Sequence, residues 1–481
     1  MTARAWLTCV ALLGLAGCVV GPNYQTPAPP VGASQPWRYA EPSRETPSEP
    51  PDDWWRLYDD PRLDAYVAEA FDANHDLAAA EANLASSRAI LEAARAGRLP
   101  ATTGNFDAIY GRDPLTDEIL AIGRHRNQTV WRFDDLLDVS YELDLFGHVR
   151  RSIEASRADA QATAAVRDAV KVTVAAETTR AYVSICVLGE QLAVARQSLQ
   201  VVTRQLDITA RRRASGAATD FDVVRAQLLA SQARATIPPL EGQGHAALLE
   251  LTALIGKTPA YAPQEALGCV APPRLQASIP VGDGAGLLRR RPDIREAERR
   301  LAADTAQVGV ATAELYPRIS LVGSFGGASG DINALTAERG LAWGVGPSIS
   351  WSFPNQAAPR ARVRASKADA AAALQEFDST VLRALKETEQ ALTAYGSELD
   401  RRHALEDAQR QAHQAFHLAQ GQVADGSASA LDLLTSEQQM VAADAALASS
   451  DGALVDDQVG VFKALGGGWQ GRRQAANTPR P

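Results

Sequence analysis

Arg150 to Arg213 contains no proline and one glycine, Gly189. Read as one helix, its 64 residues span about 96 Å at about 1.5 Å per residue. Average helices run to about 11 or 12 residues, so an ordinary globule is excluded. Leu192, Leu199 and Leu206 recur at every seventh position with Val202 between them, the spacing of a coiled-coil seam. Much of the remaining surface is alanine, which lets neighbouring helices approach closely. Arg360 to Ala424 has the same length class and the same composition. After each long segment a glycine turn leads into a returning helix. One is predicted from Phe221 to about Ile237 and on to Ile255 past Pro238 and Pro239, the other from Leu431 to Leu465. Both are helical hairpins.

The two hairpin turns match. "RRASGAATDFDVV" at Arg212 to Val224 and "QVADGSASALDLL" at Gln422 to Leu434 set Gly216 against Gly426 and Asp222 against Asp432, 210 residues apart. Upstream, "NHDLAAAEANL" at Asn74 to Leu84 matches "RPDIREAERRL" at Arg291 to Leu301, and Pro100 matches Pro317, at an offset of 217. The offset of 210 holds again for Tyr141 with Trp351, Arg157 with Lys367 and Gly256 with Gly466. The second copy is therefore seven residues shorter inside one loop, between about Tyr110 and Val139. A register kept on both sides of a single deletion defines an internal two-fold sequence repeat. At the turns, Gly216 and Gly426 suit a left-handed exit from a helix, and Thr219 and Ser429 suit the cap of the next.

Segments of period two lie between the helices. Trp131 to Phe146 sets Trp131, Phe133, Leu137, Val139, Tyr141, Leu143 and Leu145 against Arg132, Asp134, Asp138, Ser140, Glu142 and Asp144. Trp343 to Phe353 sets Trp343, Val345, Ile349, Trp351 and Phe353 against glycines and serines. Weaker partners precede them, near Asn105 to Tyr110 and at Arg318 to Phe325. Alternation with aromatics at strand ends marks a membrane barrel, although a half-buried soluble sheet alternates in the same way. Four strands cannot close a barrel, and open edges are not tolerated in lipid, so several copies must share one. Three copies give twelve strands. The fold class expected from the residues is thus an α+β membrane protein, a homo-oligomer with four strands per chain in a shared β-barrel and long α-helical hairpins.

The N-terminus sets the compartment. Arg4 precedes the apolar run Ala5 to Leu15, which is too short to span a bilayer and has the length of a signal-peptide core. It ends in "LAGC", which resembles a lipoprotein lipobox with Cys18 as the acylated residue; an ordinary signal peptide with an incidental cysteine is the alternative. Val19 stands where inner-membrane lipoproteins carry Asp, which favours the outer membrane. Past Cys18, seven prolines between Pro22 and Pro51 make an extended strap. Cys186 and Cys269 remain, either as a disulfide or as two separately buried thiols. A net charge of -9 argues against nucleic acid as a partner. No nucleotide loop, metalloprotease motif or nucleophile elbow occurs, so no enzyme and no cofactor are expected. His413 and His417, at i,i+4, lack an evident third metal ligand, and the runs Arg211 to Arg213 and Arg289 to Arg291 read as solvated helix ends.

The lipobox with "CVVGPNY", "DDWWRLYDDPRLDAYVAEAFDANHDL", "RRRPDIREAERRL", "YELDLFG", "WSFPN", "ADGSASALDLL" and "ALGGGW" together resemble the TolC-like outer membrane factors, in particular the lipidated NodT-type branch serving efflux pumps. The resemblance covers nearly all of the mature chain. It implies a homotrimer in outer membrane lipid, a trimeric twelve-stranded β-barrel continuous with a long α-helical periplasmic barrel, with a periplasmic adaptor (membrane fusion) protein and an inner-membrane pump of the RND type completing the path. The organisation it implies is a signal peptide at 1–17, a lipidated strap at 18–52, efflux repeats at 53–265 and 266–470, and a tail at 471–481. It places adaptor contacts at the tips, around Gly216, Ala217, Thr219, Gly426, Ser427 and Ser429. It places a periplasmic aperture at Leu431, Asp432 and Thr435, joined by Asp222 and Arg225 from the first copy. Thr435 stands where relatives carry a second Asp. Asp134, Asp138 and Glu142 are candidate lumen carboxylates, and Arg225 is either a link between hairpins or a local helix partner of Asp222. A non-conducting helical scaffold and a protein-secretion duct are the alternatives to an efflux duct.

Overall fold

The structure is a computed structural model that describes residues 19–41, 44–111, 129–275, 278–335 and 341–469. The signal peptide, Cys18 and the tail at 471–481 lie outside the described residues. In chain order the elements are β1 (Glu45–Thr46), α1 (Pro61–Ala73), α2 (His75–Ala96), β2 (Ala101–Gly111), β3 (Val130–Leu143), α3 (His148–Ala214), α4 (Asp220–Ala235) and α5 (Ile237–Leu254). There follow β4 (Ile279–Pro280), α6 (Gly284–Arg290), α7 (Pro292–Ala313), β5 (Arg318–Ser329), β6 (Leu341–Ser350), α8 (Ala357–Ala424) and α9 (Ala430–Ala464). The two long helices have 67 and 68 residues, about 100 Å each. No helix among the described residues is long and apolar enough to cross a membrane.

The chain forms two compact units. One comprises Met1–Pro27, Leu84–Thr163 and Ala297–Phe377; the other comprises Ala28–Asn83, Ala164–Glu296 and Asp378–Pro481. The first unit holds a four-stranded antiparallel sheet in the order β2-β3-β5-β6. Its register keeps the sequence alternation aligned across all four strands. Gly104, Leu137, Phe325 and Trp343 stand in one cross-strand row, and Thr103, Asp138, Ser324 and Gly344 in the next. Facing residues of paired strands share a side, so one face of the sheet carries the large apolar side chains and the other the small and polar ones. The apolar face is bare: Trp343 is 73% exposed, Val345 71% and Ile349 67%. Asp135 breaks the pattern, pairing with Phe106 and Gly327 on that face, while Leu136, Ile109 opposite Arg132 and Val322 opposite Ser140 take the polar side. The β2–β3 connection has eighteen residues, 112–129, and the β5–β6 connection eleven, 330–340.

Both strand ends fall short of expectation, for identifiable reasons. β3 stops at Leu143 because Asp144 turns to cap α3, accepting from the Val149 and Arg150 amides at 3.1 and 2.8 Å. Leu145 and Phe146 are thereby taken out of the sheet, and Phe146 stacks on Tyr316 with ring centroids 4.7 Å apart. β6 stops at Ser350, the partner of Arg318, because β5 begins at Arg318 and offers nothing further to pair with. Trp351 and Phe353 therefore lie beyond the strand, stacked on each other, with the Trp351 indole donating to the Leu315 carbonyl at 3.2 Å. In the same unit the buried Arg151 guanidinium holds residues 20 to 23, donating to the carbonyls of Val20 and Gly21 and to Asn23 Oδ1 at 2.7 Å.

In the second unit the strap is tied down by main-chain bonds. β1 pairs with β4 in parallel, and the amides of Arg38 and Tyr39 donate to the Glu389 carboxylate at 2.7 and 3.2 Å. Trp54, fully buried, stacks on Phe462 at 4.7 Å. Of the arginine run at 289–291, expected on a solvated surface, only Arg289 is exposed. Arg290 and Arg291 are buried, donating to the carbonyls of Leu465 and Ala464 at 2.8 and 2.9 Å. Those carbonyls end α9 without intrahelical donors, and a buried cation there satisfies both the hydrogen bonds and the negative end of the helix dipole. Cys186 of α3 is bonded to Cys269, with Cα atoms 4.7 Å apart.

Candidate functional site

The hairpin tips have one geometry used twice. α3 ends at Ala214, Gly216 takes φ +82, and the Ala217 amide returns to the Arg212 carbonyl at 2.8 Å. α8 ends at Ala424, Gly426 takes φ +74, and the Ser427 amide returns to the Gln422 carbonyl at 2.8 Å. This is the left-handed C-terminal cap with a six-residue closure, which recovers carbonyls that the last turn would leave bare. A Cβ on either glycine would meet nothing within 4 Å, so glycine is required for its conformation and not for space. Gly216, Ala217, Thr219, Gly426, Ser427 and Ser429 are all exposed.

The carboxylates of Asp222 and Asp432, expected at an aperture, are both engaged in capping boxes. Asp222 Oδ2 accepts from the Thr219 amide at 2.8 Å and its hydroxyl at 2.7 Å, while the Asp222 amide donates back to Thr219 Oγ1. Asp432 repeats this with Ser429 at 3.0 and 2.6 Å. The hydrogen bonds from the Thr219 and Ser429 hydroxyls and amides hold both carboxyls below the usual range, so the pair stays ionised at neutral pH. Leu431 is 47% exposed beside Asp432, and Thr435 turns its hydroxyl back to the Leu431 carbonyl at 2.9 Å. Leu431, Asp432 and Thr435 thus share the first turns of α9, and Asp222 and Arg225 those of α4. Among the described residues no ion pair joins the two tips. Arg225 lies over the Phe221 ring at 5.7 Å, a local stacking contact, while Asp222 is committed to its cap.

The tips differ in how they are closed. Arg213 bridges to Asp220 at 2.7 Å across the first turn, an exposed pair of small net worth. At the second, Val423 occupies the position matching Arg213 and is buried with Ala419 and Leu433 against Phe416 and Ala428. On the sheet's polar face, Asp134 pairs with Arg132 at 2.7 Å, and Glu142 lies between His148 and Arg318 at 3.3 and 3.7 Å.

Two features escaped sequence reasoning. His413 is not a free face residue: its Nε2 meets Asp444 Oδ1 of α9 at 2.8 Å, and Gln409 donates to the same oxygen. His417 is exposed, its ring 5.8 Å from that of Phe416. Among the described residues no group of three ligands could hold a metal. Glu437 is 1% exposed, and neither of its oxygens has a hydrogen-bond partner. Burial pushes its carboxyl up to about 7. The signal was present, since Leu433, Glu437, Met440 and Asp444 follow the 4-3-4 spacing of a helix seam, and that seam places Glu437 inside.

A four-stranded sheet with one bare apolar face, on a chain whose long helices end in paired hairpin tips, defines the class of helical outer membrane channels. The family profile described as outer membrane efflux protein matches residues 67–257 and 286–467, and the chain belongs to that family. Its fold is that of the TolC-like outer membrane channels. It is 29% identical over 471 residues to nodulation protein T of Rhizobium leguminosarum bv. viciae, covering 96% of this chain and 93% of that one. It is 31% identical over 474 residues to the pyoverdine export outer membrane protein OpmQ of Pseudomonas aeruginosa, covering 95% and 96%. Among solved structures, the outer-membrane channel OprN superposes with a TM-score of 0.83 at 34% identity, over 94% of this chain and all of that one.

Proposed function

We propose that three copies of this chain close a twelve-stranded barrel in the outer membrane and act as a passive exit duct, continuous with a helical tunnel built from the duplicated hairpins. The supporting observation is the sheet's register: most of the large apolar side chains of the four strands, every aromatic one among them, fall on one exposed face, and most of the polar ones on the other. A lipid-facing wall needs that arrangement, and a scaffold sheet does not need bare tryptophans. The polar face then lines the lumen with Asp134, Asp138 and Glu142. The chain is organised as a signal peptide, a strap acylated at Cys18, and two efflux repeats at 53–265 and 266–470. The exposed tips at Gly216 and Gly426 meet a periplasmic adaptor, an inner-membrane pump supplies the energy, and the cargo is small molecules. Relatives named for pyoverdine export and for toluene efflux favour such cargo over secreted protein. Asp432 and Leu431 narrow the periplasmic mouth, with Asp222 adding carboxylates from the first tip.

The test separates charge from cap. Asp432→Asn keeps a side-chain acceptor for the Ser429 amide but removes the charge; Ser429→Ala keeps the charge but removes the cap. In planar bilayers the lipidated wild type should give small cation-preferring currents. Cation preference should fall in Asp432→Asn and persist in Ser429→Ala. Equal preference in wild type and Asp432→Asn removes Asp432 from the aperture, and a protein that is monomeric and soluble once delipidated removes the duct.

A further inference from the structure

The α8–α9 hairpin contains a carboxyl that no part of the duct reading uses. Glu437 lies one turn along α9 from Leu433, in the seam where Leu433 meets Val423 and Ala419. Two turns further on, Asp444 takes the His413 ring of α8 at 2.8 Å, an ion pair only when the ring is protonated. Ordinary buried carboxylates are paired or hydrogen-bonded, because an isolated charge in an apolar seam is strongly unfavourable. Glu437 has neither kind of partner. The titratable groups of this end of the hairpin are Asp432 and Asp444 on α9, His413 and His417 on α8 and Asp425 in the turn between them. On the first hairpin, Arg213 with Asp220 and Thr219 with Asp222 are closed on each other. None of these acts on Glu437; desolvation is the only cause of its shift.

We propose that this hairpin carries a proton-operated latch: α8 packs against α9 while the buried Glu437 carboxyl is uncharged, and its ionisation loosens the pair next to the tip. The sign follows from linkage. The packed seam favours the protonated form, with its carboxyl near 7, over an exposed carboxyl near 4.5. Packing is therefore strongest below about pH 4.5, weakens as pH rises toward about 7, and levels off above. That loosening widens the mouth rests on the duct reading; the loosening itself does not.

Hydrogen exchange by mass spectrometry on the full-length lipidated protein tests it, with rates corrected for intrinsic pH dependence. For a carboxyl shifting from 4.5 to about 7, protection of peptides around 430–440 should fall roughly twentyfold between about pH 5.5 and pH 7.5 in wild type. Glu437→Gln and Glu437→Leu should flatten the profile, with Leu giving the higher protection, and His413→Gln should leave most of it. A flat wild-type profile overturns the latch, as does a slope that survives in the Glu437 variants or vanishes in His413→Gln. A pH-dependent hairpin in a protein that conducts nothing would leave the latch standing and remove the duct.

Discussion

Gly189 shows how a single residue's identity is set by a neighbour far away in sequence. It is the one glycine between Arg150 and Arg213, at a position where glycine costs about 0.5–1 kcal/mol relative to alanine. A Cβ there would sit 2.0 Å from the Cys269 carbonyl oxygen, so the crossing chain forbids any side chain. Gly189→Ala should therefore destabilise by about 1–3 kcal/mol, as overpacking does. Gly421, in α8 with nothing within 4 Å of its would-be Cβ, is the control: Gly421→Ala should stabilise by about 0.5–1 kcal/mol. Urea midpoints of the two variants should move in opposite directions; a shift of the same sign would mean that close approach does not explain Gly189. The tip chemistry was legible because glycine, Ser or Thr and Asp three residues on is a local code. The partners of Arg290 and Arg291 were not, because they come from segments distant in sequence, the carbonyls at the end of α9 lying more than 170 residues further along the chain.

At the scale of elements, the long helices could be read to within three residues at either end, since periodicity over such lengths leaves little choice. The strands were legible in face but not in extent. Alternation in "YELDLF" and "SWSF" continues past the point where the ladder stops, and the capping demand of Asp144 and the start of β5 at Arg318 decide the matter. The pairing of Cys186 with Cys269 was open in the sequence for the same reason, since it depends on the chain after α5 returning to α3. The bond closes a loop of 83 residues, which in the chain-entropy picture stabilises by at most about 4–5 kcal/mol. Cys186→Ser, or reductant on the wild type, should lower the denaturation midpoint of the second unit, which holds both cysteines, while the strand amides of β2, β3, β5 and β6 keep their exchange protection. Loss of protection in the strands together with the helices would show that the two units do not unfold separately.

For the whole molecule, the decisive surface is the sheet's bare face together with its two open edges, β2 and β6. A soluble protein that left Trp343, Val345 and Ile349 in water on a sheet with unpaired edges would aggregate, whereas a lipid-facing wall completed by further copies uses both features. The two faces should then tolerate charge in opposite ways. Val345, paired with Gly323 on the apolar face, and Ser348, paired with Ser320 on the polar face, are three residues apart on the same exposed strand. Val345→Arg should cost about 2–4 kcal/mol of insertion if it faces hydrocarbon, and Ser348→Arg should cost little if it faces water in the lumen. The yield of heat-resistant oligomer in outer-membrane fractions measures the difference: Val345→Arg depleted several-fold, Ser348→Arg near wild type. Equal yields would place both faces in water and return the sheet to a soluble scaffold. Depletion of Ser348→Arg alone would mean that the polar face is buried against protein and that the lumen lies elsewhere.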